Sequence, residues 1–337
     1  MLVTPSGQVI RQPVTGVTRE QVLSTVAQFQ STITNPRRPS AYRQPAQQLY
    51  QWFIQPLKVA LNAAKIDTLV FIVDGGLRSV PLAALYDGSE FLIEQYHMGI
   101  MPSLALSDTR YQDMTQQRVL AMGASKFTQQ NPLPAVPLEL SVIADRLWQG
   151  DSFLNETFTV KQLQEAHQSG EFGIIHLATH ANFETGTLGN SYIQFWQDQL
   201  TLDQLKEFNF GDPPIELLVL SACRTALGDR EAELGFAGAA VLAQVKTVLG
   251  SLWEVSDEGT LGLMTRFYEQ LNRVPLKAKA IREAQLSLLR GEVYIEKGQL
   301  VTPDNRLLLP QPLSTLEEQS LEHPYFWSGF TLIGSPW

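Results

Sequence analysis

Between about residues 67 and 255 the chain keeps returning to one pattern: a short, unbroken apolar run, then a stretch with helical spacing. The runs are "DTLVFIVDG", "RVLAMGAS", "FGIIHLATH", "IELLVLSAC" and "TVLGSLWEV". The helical stretches include "PLELSVIADRLWQ", "TLDQLKEFN" and "GFAGAAVLAQVK". A strand without polar alternation needs cover on both faces, and strands joined through helices run parallel. The pattern therefore predicts an α/β fold, a mostly parallel central sheet with helices on both faces. "FLIEQYHMGIMPS" reads as further strand, and "FTVKQLQEAHQ" as a short strand followed by a helix. Two helices, "SDEGTLGLMTRFYEQLNR" and "VPLKAKAIREAQLSLLRG", precede the last strand candidate, "YFWSGFTLIG". Residues 291–320 lack a period and read as a long surface loop. No repeat of 20–50 residues is present.

The first 45 residues differ in texture. "LVTPSGQVIRQPVTG" predicts a hairpin around Ser6 and Gly7. Residues 18–31 predict a Thr-capped helix with Val22, Val26 and Phe29 on one face. The Pro- and Arg-rich residues 33–44 read as a connector. A helix follows, interrupted near Pro56. The division expected is residues 1–45, packing on a main domain of residues 46–337.

Of the 337 residues, 44% are hydrophobic and 18% charged, enough for a large core. The formal charge of −9 argues against a nucleic-acid surface, which needs a basic patch. One cysteine excludes an internal disulfide framework and fits a reducing compartment. "MLVTPSGQVIRQPVTG" has no apolar signal core, and no run approaches the roughly 20 residues of a membrane span. A cytoplasmic protein without membrane contact is expected.

That cysteine, Cys223, stands at the end of an apolar run, where a nucleophile rather than a filler thiol belongs. "FGIIHLATH" ends at His180, 43 residues earlier, and a single helix separates the two runs. In open α/β sheets ligands collect outside the carboxyl ends of the strands. Adjacent strands lie about 4.8 Å apart, so an imidazole and a thiol at neighbouring ends can share one crevice. A thiol needs such a neighbour, because the thiolate is the reactive species. The competing reading is that Cys223 is an inert core residue. His176 shares a strand face with His180 but lies deeper and reads as a buried structural residue. His97, His167 and His323 have no partner motif, and Asp74 in "VDGG" belongs to a turn.

Caspases carry Q-A-C-[RQG]-G with a histidine about 50 residues upstream. Here "SACRT" and His180 stand in a similar relation. The neighbouring text, "HLATHANF", "LLVLSACRTALGD" and "GFAGAAVLAQVKTVLGSLWEVSDEGT", resembles the CHAT domain, a caspase-like bacterial module often found behind tetratricopeptide (TPR) repeats. "IDTLVFIVDGGLRSVPLAALYDG" resembles its opening half and "HPYFWSGFTLIG" its last strand, so the likeness runs from about residue 15 to the end. The resemblance implies the caspase-like sandwich of clan CD peptidases. It implies His180 as base or ion-pair partner and Cys223 as nucleophile. It implies an oxyanion hole from the N–H groups of Cys223 and Ala181. Many relatives carry glycine at the second position, and alanine resists a positive φ. Peptidases of this clan with a strand end of the form LW-x-V-x-D hold a basic P1 side chain in an acidic pocket. In "LWEVSDEGT" the matching candidates are Asp257 first and Glu254 second, with Trp253 as groove wall or core filler. The plainer reading is that Ser256 or Asp257 caps the next helix.

The expected function is a cysteine endopeptidase cutting after a basic residue and held in check until a partner or cleavage orders its loops, residues 181–200 and 224–236. Its partners would be a protein substrate and a regulatory protein or TPR region. The alternative is a catalytically silent CHAT scaffold or interaction domain. No cofactor or metal is expected: "DGG" lacks the dinucleotide spacing and no EF-hand-like run occurs. The absence of G-x-S-x-G disfavours a serine hydrolase.

Overall fold

The computed structural model describes residues 1–74, 76–103, 110–182, 191–222, 235–274 and 276–337. Eight strands form the central sheet: β1 (Thr68–Phe71), β2 (His97–Ile100), β3 (Arg118–Gly123), β4 (Gly150–Leu154), β5 (Phe172–Ala178), β6 (Leu217–Ser221), β7 (Thr247–Ser251) and β8 (Phe330–Gly334). Their spatial order is β1-β2-β8-β7-β6-β5-β3-β4. Strands β4, β3, β5, β6 and β7 run parallel. β8 pairs antiparallel with β7, while β1, β2 and β8 are parallel to one another. The sheet thus consists of two parallel blocks of opposite direction that meet at β7 and β8. All of β5, β6 and β7 is buried, the reason their sequences carry no polar alternation.

The helices that matter below are α1 (Arg19–Ile33), α2 (Arg43–Phe53), α3 (Val136–Ser141), α4 (Val160–Gln168), α5 (Leu202–Glu207), α6 (Gly235–Leu242), α7 (Asp257–Leu271) and α8 (Lys277–Leu289). α1 starts where its sequence places it, with a capping box between Thr18 and Gln21. α2 stops before Pro56, and a 3₁₀ turn, Gln55–Leu57, carries the chain on. The hairpin at the N-terminus pairs Leu2 with Ile10 and Val3 with Val9, with Gly7 at φ +80°. Residues 259–271 of α7 are all buried. Besides the sheet and α8, the helix lies beneath a second sheet: a Cβ on Gly262 would meet Val293, Leu300 and Leu321 at 3.2–3.4 Å.

That second sheet corrects the sequence reading. Residues 291–320 hold four strands, Tyr294–Glu296, Gln299–Val301, Arg306–Leu308 and Glu318–Ser320, all antiparallel. Between β5 and β6 a further three-stranded antiparallel sheet forms from Ala181–Asn182, Tyr192–Gln194 and Gln199–Thr201. Residues 91–100 open with a helical turn, Leu92–Gln95, before β2 begins. Strand β4 precedes "FTVKQLQEAHQ", where Thr159 caps α4 instead of ending a strand. Among the described residues no helix is long and apolar enough to cross a membrane.

Candidate active site

β5 and β6 are neighbours, and five pairs from Leu217↔Ile174 to Ser221↔Ala178 fix their register. Every pair is offset by 43 residues, the separation of His180 and Cys223 in the sequence. Beyond the last pair the Thr179 N–H donates to the Ser221 carbonyl at 3.3 Å. Cys223 itself lies outside the described residues, as do residues 183–190 and 224–234. The chain leading to it is tightly held. The Ser221 hydroxyl donates to Glu139, and the Ser251 hydroxyl, on β7, donates to the Ala222 carbonyl.

His180 follows the end of β5 by two residues and is partly exposed. Its Nε2 lies 2.8 Å from the Asn131 carbonyl. The Phe127 ring meets the imidazole edge-to-face at 4.5 Å between centroids. A carbonyl only accepts, so this contact puts the ring proton on Nε2 and leaves the lone pair on Nδ1. The next residue, Ala181, pairs with Ile193 in an extended strand. It is not among the residues with positive φ, so the missing glycine creates no strain. The Gln194 N–H donates to the His180 carbonyl at 2.9 Å. This makes Ala181 and Ile193 a pair whose own N–H groups point away from the ladder.

His176 is fully buried, four residues deeper on the same strand. Its Nε2 lies 2.9 Å from Glu139 Oε1, and its Nδ1 3.2 Å from the Tyr268 hydroxyl. The Ser221 hydroxyl donates to the same Glu139 oxygen at 2.8 Å. The network joins α3, β5, β6 and α7 and gives both ring nitrogens of His176 a partner, as burial of polar groups requires. Burial, reinforced by the Glu139 carboxylate, pushes the Tyr268 hydroxyl well above its ordinary pKa, so it remains a donor. Tyr268→Phe removes that donor without opening space and should cost about 1–2 kcal/mol in denaturant unfolding. An unchanged midpoint would mean the hydroxyl has no part in holding His176.

Past β7, Trp253 is 7% exposed, donates from Nε1 to the Tyr325 carbonyl at 3.2 Å and packs on Gly329, where a Cβ would lie 3.0 Å from its ring. It serves the core. Glu254 is exposed. Ser256 caps α7 by accepting the Gly259 N–H at 3.0 Å, so the capping role falls to Ser256 rather than Asp257. The Asp257 carboxylate instead accepts the Ala135 N–H at 2.7 Å. Burial raises its pKa to about 7, against that hydrogen bond and with help from Glu139 and Glu258. Asp74 forms the expected turn, accepting the Gly76 N–H at 3.2 Å.

His167 is held by the Pro213 carbonyl at 2.8 Å, His323 accepts the Tyr325 N–H at 3.1 Å, and His97 meets Thr68 at 3.3 Å. Sequence reasoning missed Phe127, Asn131, Glu139, Ser221 and Tyr268. Only Glu139 left a trace, as a lone carboxylate among the apolar residues of "PLELSVIA".

A search among curated proteins gave no match. Among solved structures, the chain is similar to the Arg-specific cysteine proteinase gingipain R (RgpB), with a TM-score of 0.49, 10% identity, and 91% of this chain and 69% of that one covered. It is similar to the complex of Porphyromonas gingivalis RgpB pro- and mature domains, with a TM-score of 0.50, 11% identity and coverages of 94% and 75%. The separase of the Saccharomyces cerevisiae separase–securin complex gives a TM-score of 0.50 at 13% identity, over 99% of this chain but 21% of that one. At such identities the likeness is one of fold alone, the caspase-like sandwich of a mostly parallel sheet between helices. The sequence also matches a family directly, over residues 43–335, and the chain belongs to the CHAT domain family.

Proposed function

We propose that the chain is a cysteine endopeptidase in which His180 and Cys223 form the catalytic dyad. The observation that carries this reading is the shared offset of 43 residues: every β5–β6 pair from Leu217↔Ile174 to Ser221↔Ala178 has the separation that divides His180 from Cys223 in the sequence. Two features support it. The Asn131 carbonyl holds the Nε2 proton of His180, leaving Nδ1 to take a proton. The Ala181 N–H is turned out of its own ladder.

In the reaction Nδ1 takes the thiol proton and the Cys223 sulfur attacks the scissile carbonyl. The Ala181 and Cys223 N–H groups receive the oxyanion. The imidazolium then protonates the leaving amine as the C–N bond breaks, and water, deprotonated by His180, hydrolyses the thioester to release the acid and restore the thiol. A basic P1 side chain pairs with Asp257, with Glu254 as the second carboxylate. A protein partner or cleavage regulates access.

The test is covalent labelling. The chain has one cysteine, so a peptidyl-arginine chloromethyl ketone should add once, at residue 223, and faster than its norleucine counterpart. Equal rates would remove the basic specificity. No labelling by either, while iodoacetamide still reacts, would leave the silent-scaffold reading.

A further inference from the structure

The residues that orient His180 are joined through one short strut to the residue proposed to meet the substrate. Asn131, whose carbonyl holds Nε2, begins the run Asn131-Pro132-Leu133-Pro134-Ala135. Both prolines fix their own φ and restrict the residue before them, so little slack remains over these five residues. Two hydrogen bonds hold the middle and near side: the Leu133 N–H donates to the Ser125 carbonyl at 3.0 Å, and the Ser125 N–H to Asn155 Oδ1 at 2.9 Å. The far foot is the Ala135 N–H, which donates to Asp257. Ala135 is also the residue at which α3 starts, the helix that carries Glu139.

We propose that Asp257 is a positioning residue for His180: its carboxylate fixes the foot of the 131–135 strut, so that whatever binds Asp257 is felt at the imidazole. The inference deepens the peptidase reading and rests on it for its biological meaning, since it couples recognition of a cationic side chain to the orientation of the base. A guanidinium pairing with Asp257 draws on the same carboxylate that holds Ala135. Occupancy of the specificity pocket then adjusts the Asn131 carbonyl and, through it, the ring.

The experiment is NMR of histidine-labelled chain without substrate, a condition in which a purely substrate-binding residue has nothing to report. The His180 ring signals are assigned by their loss in His180→Gln. Asp257→Ala should displace them and speed exchange of the Nε2 proton about five- to tenfold, the range for one weakened hydrogen bond. Asp257→Asn keeps an acceptor oxygen for the Ala135 N–H and should leave both readouts near wild type. Unchanged signals in Asp257→Ala overturn the inference. Equal displacement in Asp257→Ala and Asp257→Asn also overturns it, because charge and not anchorage would then be responsible. Should Asp257→Ala fail to fold, Asp257→Ser, too short to reach Ala135, is held to the same result. A wild type that cleaves no basic peptide would sink the peptidase reading and leave this measurement intact.

Discussion

His180→Ala should lower kcat for a basic peptide reporter about 10³-fold while the chain stays folded, the loss expected when a general base is removed. The argument depends on where the ring sits. His180 lies past the end of β5 and is partly exposed, and among the described residues its ring is held by one hydrogen bond and one edge-to-face aromatic contact. Removing it therefore costs on the order of 1 kcal/mol of stability, visible as a small drop in melting temperature. The sole cysteine supplies a second readout. Alkylation of wild type should stay fast below pH 7, and in His180→Ala it should fall back to the profile of a free thiol with a pKa near ~8.5. Retained cleavage in His180→Ala would place the base elsewhere. A collapse of melting temperature would mean that the lost activity reports folding instead of catalysis.

Asp257→Asn should raise stability at pH 8 by on the order of 2–4 kcal/mol over wild type, with the advantage vanishing near pH 4. The native carboxyl titrates at about 7, above its ordinary 3.8, because burial disfavours its charge. Between those two values the folded chain binds more protons than the unfolded one, so wild-type stability falls as pH rises through that window. Above pH 7 the whole penalty is present. Asparagine carries no charge and still offers an oxygen to the Ala135 N–H, so it escapes the penalty. The same substitution should cost most of the cleavage after basic residues, a trade of function for stability. Urea midpoints at pH 4 and pH 8 for both chains decide the matter. Equal wild-type and variant stability at pH 8 would mean that the carboxylate is ionised at no cost.

The parts of this fold that the sequence revealed are those whose environment leaves a simple pattern. β5, β6 and β7 are covered on both faces, so their residues run apolar without interruption. β4 was hidden because it is an edge strand with exposed Asp151 and Ser152, and only its last two residues are apolar. The four strands within 291–320 span three residues each, too short for a period to develop, and prolines 310 and 312 imitate a loop. Leu92–Gln95 was misread because its apolar opening, Phe91-Leu92-Ile93, looks like the start of a strand. At the site, His180 and Asp257 were legible as candidates, because side-chain chemistry and motif spacing both marked them. The hold on His180 was not, because a backbone carbonyl has no letter in the sequence. Nor was the link from His176 to Glu139, two residues on different elements that meet only when α3 lies across β5.

The sheet order has a consequence for how the molecule is assembled. β8, the latest of the eight central strands in chain order, lies between β7 and β2. Strands β3 to β7 occupy a continuous stretch of chain and can pair as they emerge. β1 and β2, made long before, find no edge to join until residues 330–334 exist. Until then the β1–β2 pair must stand apart from the β3–β7 block, and β8 acts as the keystone that joins the two.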